Sequence, residues 1–166
     1  MKYVKCWAVD RAYLFSHCLL IIWEKRKRNG RTCSMVLIAA IYGALLAMLF
    51  LMLSIHVVTL RRELGIAFGD GGKEDLTKAV RAHGNFAEYV PIALILFVML
   101  ELNGTSDYLV HLLGGALVLA RASHASGLLF SKNKISKRRV FGTALTWIVI
   151  GVSGALLISN SMNYVY

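Results

Sequence analysis

The sequence predicts an all-α membrane protein, a four-transmembrane-helix up-down bundle, and three observations carry that prediction. The 166-residue chain is 57% hydrophobic with a single proline, and its mean hydropathy is +0.60, which soluble domains of this size rarely reach. Its apolar residues fall in long blocks. The segments joining the blocks are short, so neighbouring helices must run antiparallel.

The blocks set the elements in order. Residues 35–60 run for 26 positions without a charge, and residues 140–166 for 27. Both exceed the roughly 20 apolar residues that a spanning helix needs. Between them, residues 86–100 hold only Glu88, and the uncharged run 108–120 resumes past Arg121 as far as Phe130. These two blocks span if their few polar residues face protein. The expected helices are about 35–61, 76–102, 107–130 and 139–161. In the first connection, "RRELGIAFGDGGKEDLTK", GDGG reads as a flexible turn. In the second, "ELNGTSD", Asn103-Gly104 is a turn signal, and Ser106 or Asp107 is expected to cap the third helix. The third connection is "SKNKISKRR". Gly43, Gly114, Gly115, Gly151 and Gly154 are expected at close helix contacts. Trp147, Tyr164 and Tyr166 read as interfacial anchors.

A net charge of +10 invites a nucleic-acid partner, but its placement argues for a lipid bilayer instead. Arg61, Arg62, Lys73 and Lys78 lie in the first connection, and Lys132, Lys134, Lys137, Arg138 and Arg139 in the third. The second connection and the C-terminal tail have no Lys or Arg. That asymmetry predicts that connections 1–2 and 3–4 are cytoplasmic, with the basic groups facing anionic headgroups. The sequence contains no nucleotide-binding loop, metal-ligand cluster or nucleophile triad, and no metal is expected.

Residues 1–34 do not fit this topology. They contain eight Lys/Arg against two acids and all three cysteines. The cluster Lys25, Arg26, Lys27, Arg28 and Arg31 would lie on the wrong side of helix 1. Three explanations compete: a short fifth membrane segment at 12–23, a signal peptide, or a non-native extension with the true start at Met35. The first is too short to span, and the second lacks a small-residue cleavage site. The third is the expectation, leaving 35–166 as the membrane domain.

Polar groups mark the start of helix 2, "VRAHGNFAEYVPIALIL". Arg81, Asn85 and Glu88 advance by four and three residues and share one helical stripe, with Tyr89 beside them and His83 on nearly the opposite side. Such a stripe cannot face lipid; it faces a helix, a subunit or a cavity. Pro91 removes a backbone hydrogen bond just above it. In helix 3, "LARASHASG" places Arg121 and His124 on one face, and antiparallel packing brings that region to the start of helix 2. Arg81, Asn85, Glu88, Tyr89, Arg121 and His124 are expected to converge on a pocket open to the cytoplasm. Two cations and one anion suit a zwitterion with more than one carboxylate, because arginines pair with carboxylates and a glutamate receives an ammonium. Two other readings stand beside this one. The charged set is a lock between helices or subunits, or Glu88 serves a small proton-coupled transporter, although Arg81 would depress the carboxylate's pKa.

The stretch "VRAHGNFAEYVP" resembles the signature of the membrane-associated proteins in eicosanoid and glutathione metabolism, the MAPEG family: an Arg, an Asn four residues on, a Glu three further, then an aromatic and a proline. The resemblance covers the chain from Met35 and is closest to the small bacterial inner-membrane branch. It implies a homotrimer with glutathione sites between subunits near the cytoplasmic face. By position, it implies that Arg81, Asn85, Glu88, Tyr89 and Arg121 hold glutathione. It also implies thiolate attack on a small lipophilic electrophile or a hydroperoxide, of glutathione transferase or peroxidase type. Two positions depart from the family pattern. His124 and Leu128 stand where well-studied eukaryotic members carry tyrosines. Helix 4 begins "VFGTALTW", with Ala144 or a neighbour in place of the family's activating arginine. Arg121 and His124 are the remaining catalytic candidates, His124 through its near-neutral titration.

Overall fold

The computed structural model describes residues 36–131 and 136–165, with side chains as far as Met162. The expectations for residues 1–34, the start at Met35, Lys132, Lys134 and the rings of Tyr164 and Tyr166 lie outside the described residues. The described chain forms α1 (Leu37–Leu64), α2 (Glu74–Leu102), α3 (Asp107–Leu129) and α4 (Lys137–Val165). Each is long and apolar enough to cross a membrane, so the described residues form a four-helix membrane bundle.

The observed ends differ from the expected ones where polar residues extend a helix beyond its apolar run. Arg61 and Arg62 continue α1 to Leu64, where Gly65 stops it at φ 66°. The Gly65 and Ile66 amides donate to the Arg62 and Arg61 carbonyls, the paired bonds of a Schellman ending. Arg61 Nη1 then reaches the Ala67 carbonyl at 3.1 Å. At the start of α2, Glu74 and Asp75 suit the positive helix end, and Glu74 pairs with Lys78 at 2.8 Å. The GDGG turn is organised by Asp70, whose carboxylate accepts from the Gly72 amide at 3.1 Å and the Thr77 hydroxyl at 2.8 Å. Those bonds, the Gly72 amide first, hold the Asp70 carboxyl below its usual range. Capping of α3 differs from expectation. Ser106 occupies the N-cap but its side chain makes no cap bond, and Asp107 lies in the first turn.

Another carboxylate does cap a helix from a distance. Both Glu101 oxygens, near the end of α2, accept from the first free amides of α1, Ile38 at 2.9 Å and Ala39 at 2.7 Å. The negative charge meets the positive end of the α1 dipole, fixing the outset of α1 to the far end of α2.

α2 and α3 form the middle of the bundle. α1 and α4 each pack on both, and do not touch one another among the described residues. The core runs through Leu46, Phe86, Phe97, Leu117 and Val149. Outward faces carry Leu45, Met48, Met52 and Ile55 of α1, and Ile148, Val152 and Ile158 of α4. That arrangement suits hydrocarbon surroundings. Gly114 accommodates the Tyr42 ring, which a Cβ would strike, while the Tyr42 hydroxyl donates to the His111 carbonyl at 3.0 Å. Gly151 and Gly154, expected at close contacts, have nothing within 4 Å. Backbone-to-backbone approach comes instead at Gly127 and Gly142.

Candidate functional site

The site grows out of the α3–α4 seam. A Cβ on Gly142 would lie 2.5 Å from the Ala120 carbonyl oxygen and 2.6 Å from the His124 nitrogen. One on Gly127 would lie 2.5 Å from the Arg139 amide. These contacts are backbone on backbone, so no side-chain rotation relieves them, and glycine alone permits the approach. Bringing the backbones so close leaves carbonyls within reach of buried donors. The Gly142 carbonyl accepts from Arg121 Nη2 at 3.3 Å and from Thr146 Oγ1 at 2.8 Å.

Arg121 is the largest fully buried side chain among the described residues, at 1% exposure. Its Nη1 donates to Asn85 Oδ1 of α2 at 2.9 Å, and its guanidinium lies over the Tyr89 ring at 5.7 Å from the centroid, a cation–π distance. Its Nε is buried without a hydrogen-bond partner. Among the described residues Arg121 makes no ion pair. A guanidinium cannot shed its proton, so a full positive charge rests here on neutral acceptors alone. Because Asn85 spends its carbonyl oxygen on Arg121, its amide N–H groups remain to donate elsewhere.

The six expected site residues therefore separate into three groups. Asn85, Tyr89 and Arg121 come together. Arg81 and Glu88 are exposed on the same stripe of α2, and neither forms an ion pair among the described residues. His124 is buried at 4% exposure and is packed beneath Gly142 at the α3–α4 seam. At the departed helix 4 position, Ala144 is exposed beside Arg139, Thr143 and Trp147 around a surface hollow. Sequence reasoning missed Gly142, whose carbonyl holds Arg121, and Glu101, whose partners lie 62 and 63 residues away. Small-residue spacing in helix 4 was the only available signal for the first.

Comparison with known proteins points the same way as the residues. The MAPEG family model matches residues 39–159. The chain is 36% identical over 114 residues to Inner membrane protein YecN of Escherichia coli (strain K12), covering 69% of this chain and 85% of the relative. The protein of that name from Escherichia coli O6:H1 (strain CFT073) matches to the same extent.

Proposed function

The chain belongs to the MAPEG family, and from that membership we propose that it binds glutathione in the bacterial inner membrane, as a homotrimer with sites between subunits. The observation that carries this reading is Arg121, buried without an ion pair among the described residues and held by the carbonyl oxygen of Asn85. A charge removed from water costs several kcal/mol unless it is compensated, and an anionic ligand compensates it. Asn85 relays the positive field outward, its free N–H groups facing a carboxylate while Arg121 stands behind. Exposed Arg81 takes a carboxylate directly, and Glu88 receives the ammonium.

Bound glutathione supplies a thiol nucleophile for lipophilic electrophiles or hydroperoxides. The residues here bind and orient it, but α4 contributes little activation, because no charge follows Arg139 in the sequence. A cation beside the thiol is what lowers its pKa. Binding is thus the primary activity, with any transferase or peroxidase step slow, and His124, buried under Gly142 at the α3–α4 seam, does not face the thiol. Arg81 and Glu88, exposed and without an ion pair among the described residues, also fit a lock between subunits, and one experiment separates the two readings. Glutathione is titrated calorimetrically into detergent-purified wild type and Arg81→Ala, with size exclusion of both. The proposal expects saturable binding to wild type, none to Arg81→Ala, and the same oligomer for each. A folded wild-type oligomer that takes up no glutathione defeats it. An Arg81→Ala variant that falls apart assigns the stripe to assembly.

A further inference from the structure

The connection between α1 and α2 presents the most exposed large apolar side chain of the described residues, Phe68, at 93% exposure. The backbone that carries it is braced from three directions. Arg61 Nη1 reaches the Ile66 and Ala67 carbonyls at 3.4 and 3.1 Å. The Ile66 side chain turns inward, where a Cβ on Gly71 would strike it. Asp70 holds the Gly72 amide and the Thr77 hydroxyl. Gly65 and Gly69, at φ 66° and 68°, turn the chain on either side of the segment 66–68. The ring is therefore held out on a fixed support.

A lone apolar residue on a soluble surface calls for no partner, but this one stands at the edge of a membrane. Arg61 is the first charge after the uncharged run 35–60, so it marks the level at which α1 leaves hydrocarbon. Its bond to the Ala67 carbonyl keeps Phe68 within reach of one arginine side chain from that level. The headgroup layer beyond the hydrocarbon is about 5–8 Å deep on each side, and aromatic rings are enriched there. We propose that Phe68 inserts its ring at the boundary between headgroups and acyl chains, fastening the α1–α2 connection to the bilayer surface. The attachment is apolar. Arg61, Arg62, Lys73 and Lys78 are matched by Glu63, Asp70, Glu74 and Asp75, so the connection has no net charge to draw it to anionic headgroups. This inference is independent of the glutathione reading.

The test replaces Phe68 by photoreactive p-benzoylphenylalanine in the full chain, reconstituted in phosphatidylcholine nanodiscs, with mass spectrometry of the product after irradiation. The proposal expects an adduct between protein and phospholipid. A crosslink to a second protomer or within the chain overturns it, and so does recovery of the probe without any adduct. Exchanging phosphatidylcholine for phosphatidylglycerol should leave the yield unchanged. An adduct that forms only with phosphatidylglycerol would assign the attachment to charge and overturn the apolar account. Hydrogen exchange in the same nanodiscs gives a second readout without the probe. Phe68→Ser should speed amide exchange at residues 67–69 by about tenfold, the equilibrium shift that withdrawing one buried phenyl side chain gives. Phe68→Trp should keep exchange slow. The ring is exposed in the protein itself, so Phe68→Ser should leave elution volume and glutathione binding as in wild type. Exchange at 67–69 that is the same in Phe68→Ser and wild type also overturns the proposal.

Discussion

The two sides of the bundle are packed by different rules. At the α3–α4 seam, glycines let backbones meet at distances that no Cβ would allow, and the space that remains holds polar groups: Arg121, His124, Thr146 and Ser153, all buried. At the α1–α2 seam, side chains keep the helices apart and leave an apolar groove. The apolar window of α3 is 44% buried within the chain, against 22% for both α1 and α4, so α3 is the most enclosed helix. Without a hydrophobic driving force between helices in lipid, close approach and internal hydrogen bonds are what hold them. The same approach that stabilises the seam creates the dry setting in which a guanidinium charge is felt most.

The largest effect should come from breaking the tight seam. Gly142→Val places atoms against the Ala120 carbonyl and the His124 amide and should cost about 3 kcal/mol, the upper part of the overpacking range. A lowered thermal-unfolding midpoint in detergent would register it. Gly151→Ala, where nothing lies within 4 Å, should leave the midpoint nearly unchanged.

Next comes the polar link that ties the seam to α2. Asn85→Ala deprives Arg121 of its one side-chain acceptor and should destabilise by about 2 kcal/mol, the cost of a buried donor left unmet. The same variant should lose glutathione affinity, which calorimetry reads separately from unfolding.

On the looser side, Glu101→Ala uncovers the Ile38 and Ala39 amides. The expected cost is about 1 kcal/mol, typical of a lost N-cap, and faster amide exchange should be confined to the first turn of α1. Glu101→Gln, which keeps an acceptor, should recover part of that protection.

The smallest effect lies in the GDGG turn. The Gly72 amide and Thr77 hydroxyl depress the Asp70 carboxyl below its ordinary 3.8. A depressed folded value contributes stability above 3.8 and loses it as pH falls through the lower folded value. Exchange at residues 70–77 should therefore stay slow at mildly acidic pH and rise only below that range, whereas Asp70→Asn should show no such step.

Much of this architecture is legible in the sequence because hydrocarbon imposes length and hydropathy on each span. The helix 2 stripe is legible too, since Arg81, Asn85 and Glu88 follow the helical period. Arg121 meeting Asn85 and Tyr89 follows from antiparallel neighbours. What periodicity cannot supply is the rotation of one helix against another. His124 shares a face with Arg121 but is seated under α4, because Gly142 draws α4 onto that side. The Gly142 carbonyl is invisible to side-chain reasoning, and Glu101 finds partners more than 60 residues away.

On our proposal, the buried Arg121 guanidinium, without an ion pair among the described residues, attracts the carboxylates of glutathione. Its most direct test is to compare, by calorimetry on the wild-type protein, glutathione with its diethyl ester, which keeps the thiol and ammonium but masks both carboxylates. Glutathione should bind saturably and the ester at least about tenfold more weakly, as expected for losing charge-assisted hydrogen bonds. Equal affinity for the two would contradict it and leave Arg121 a structural strut of the α3–α4 seam.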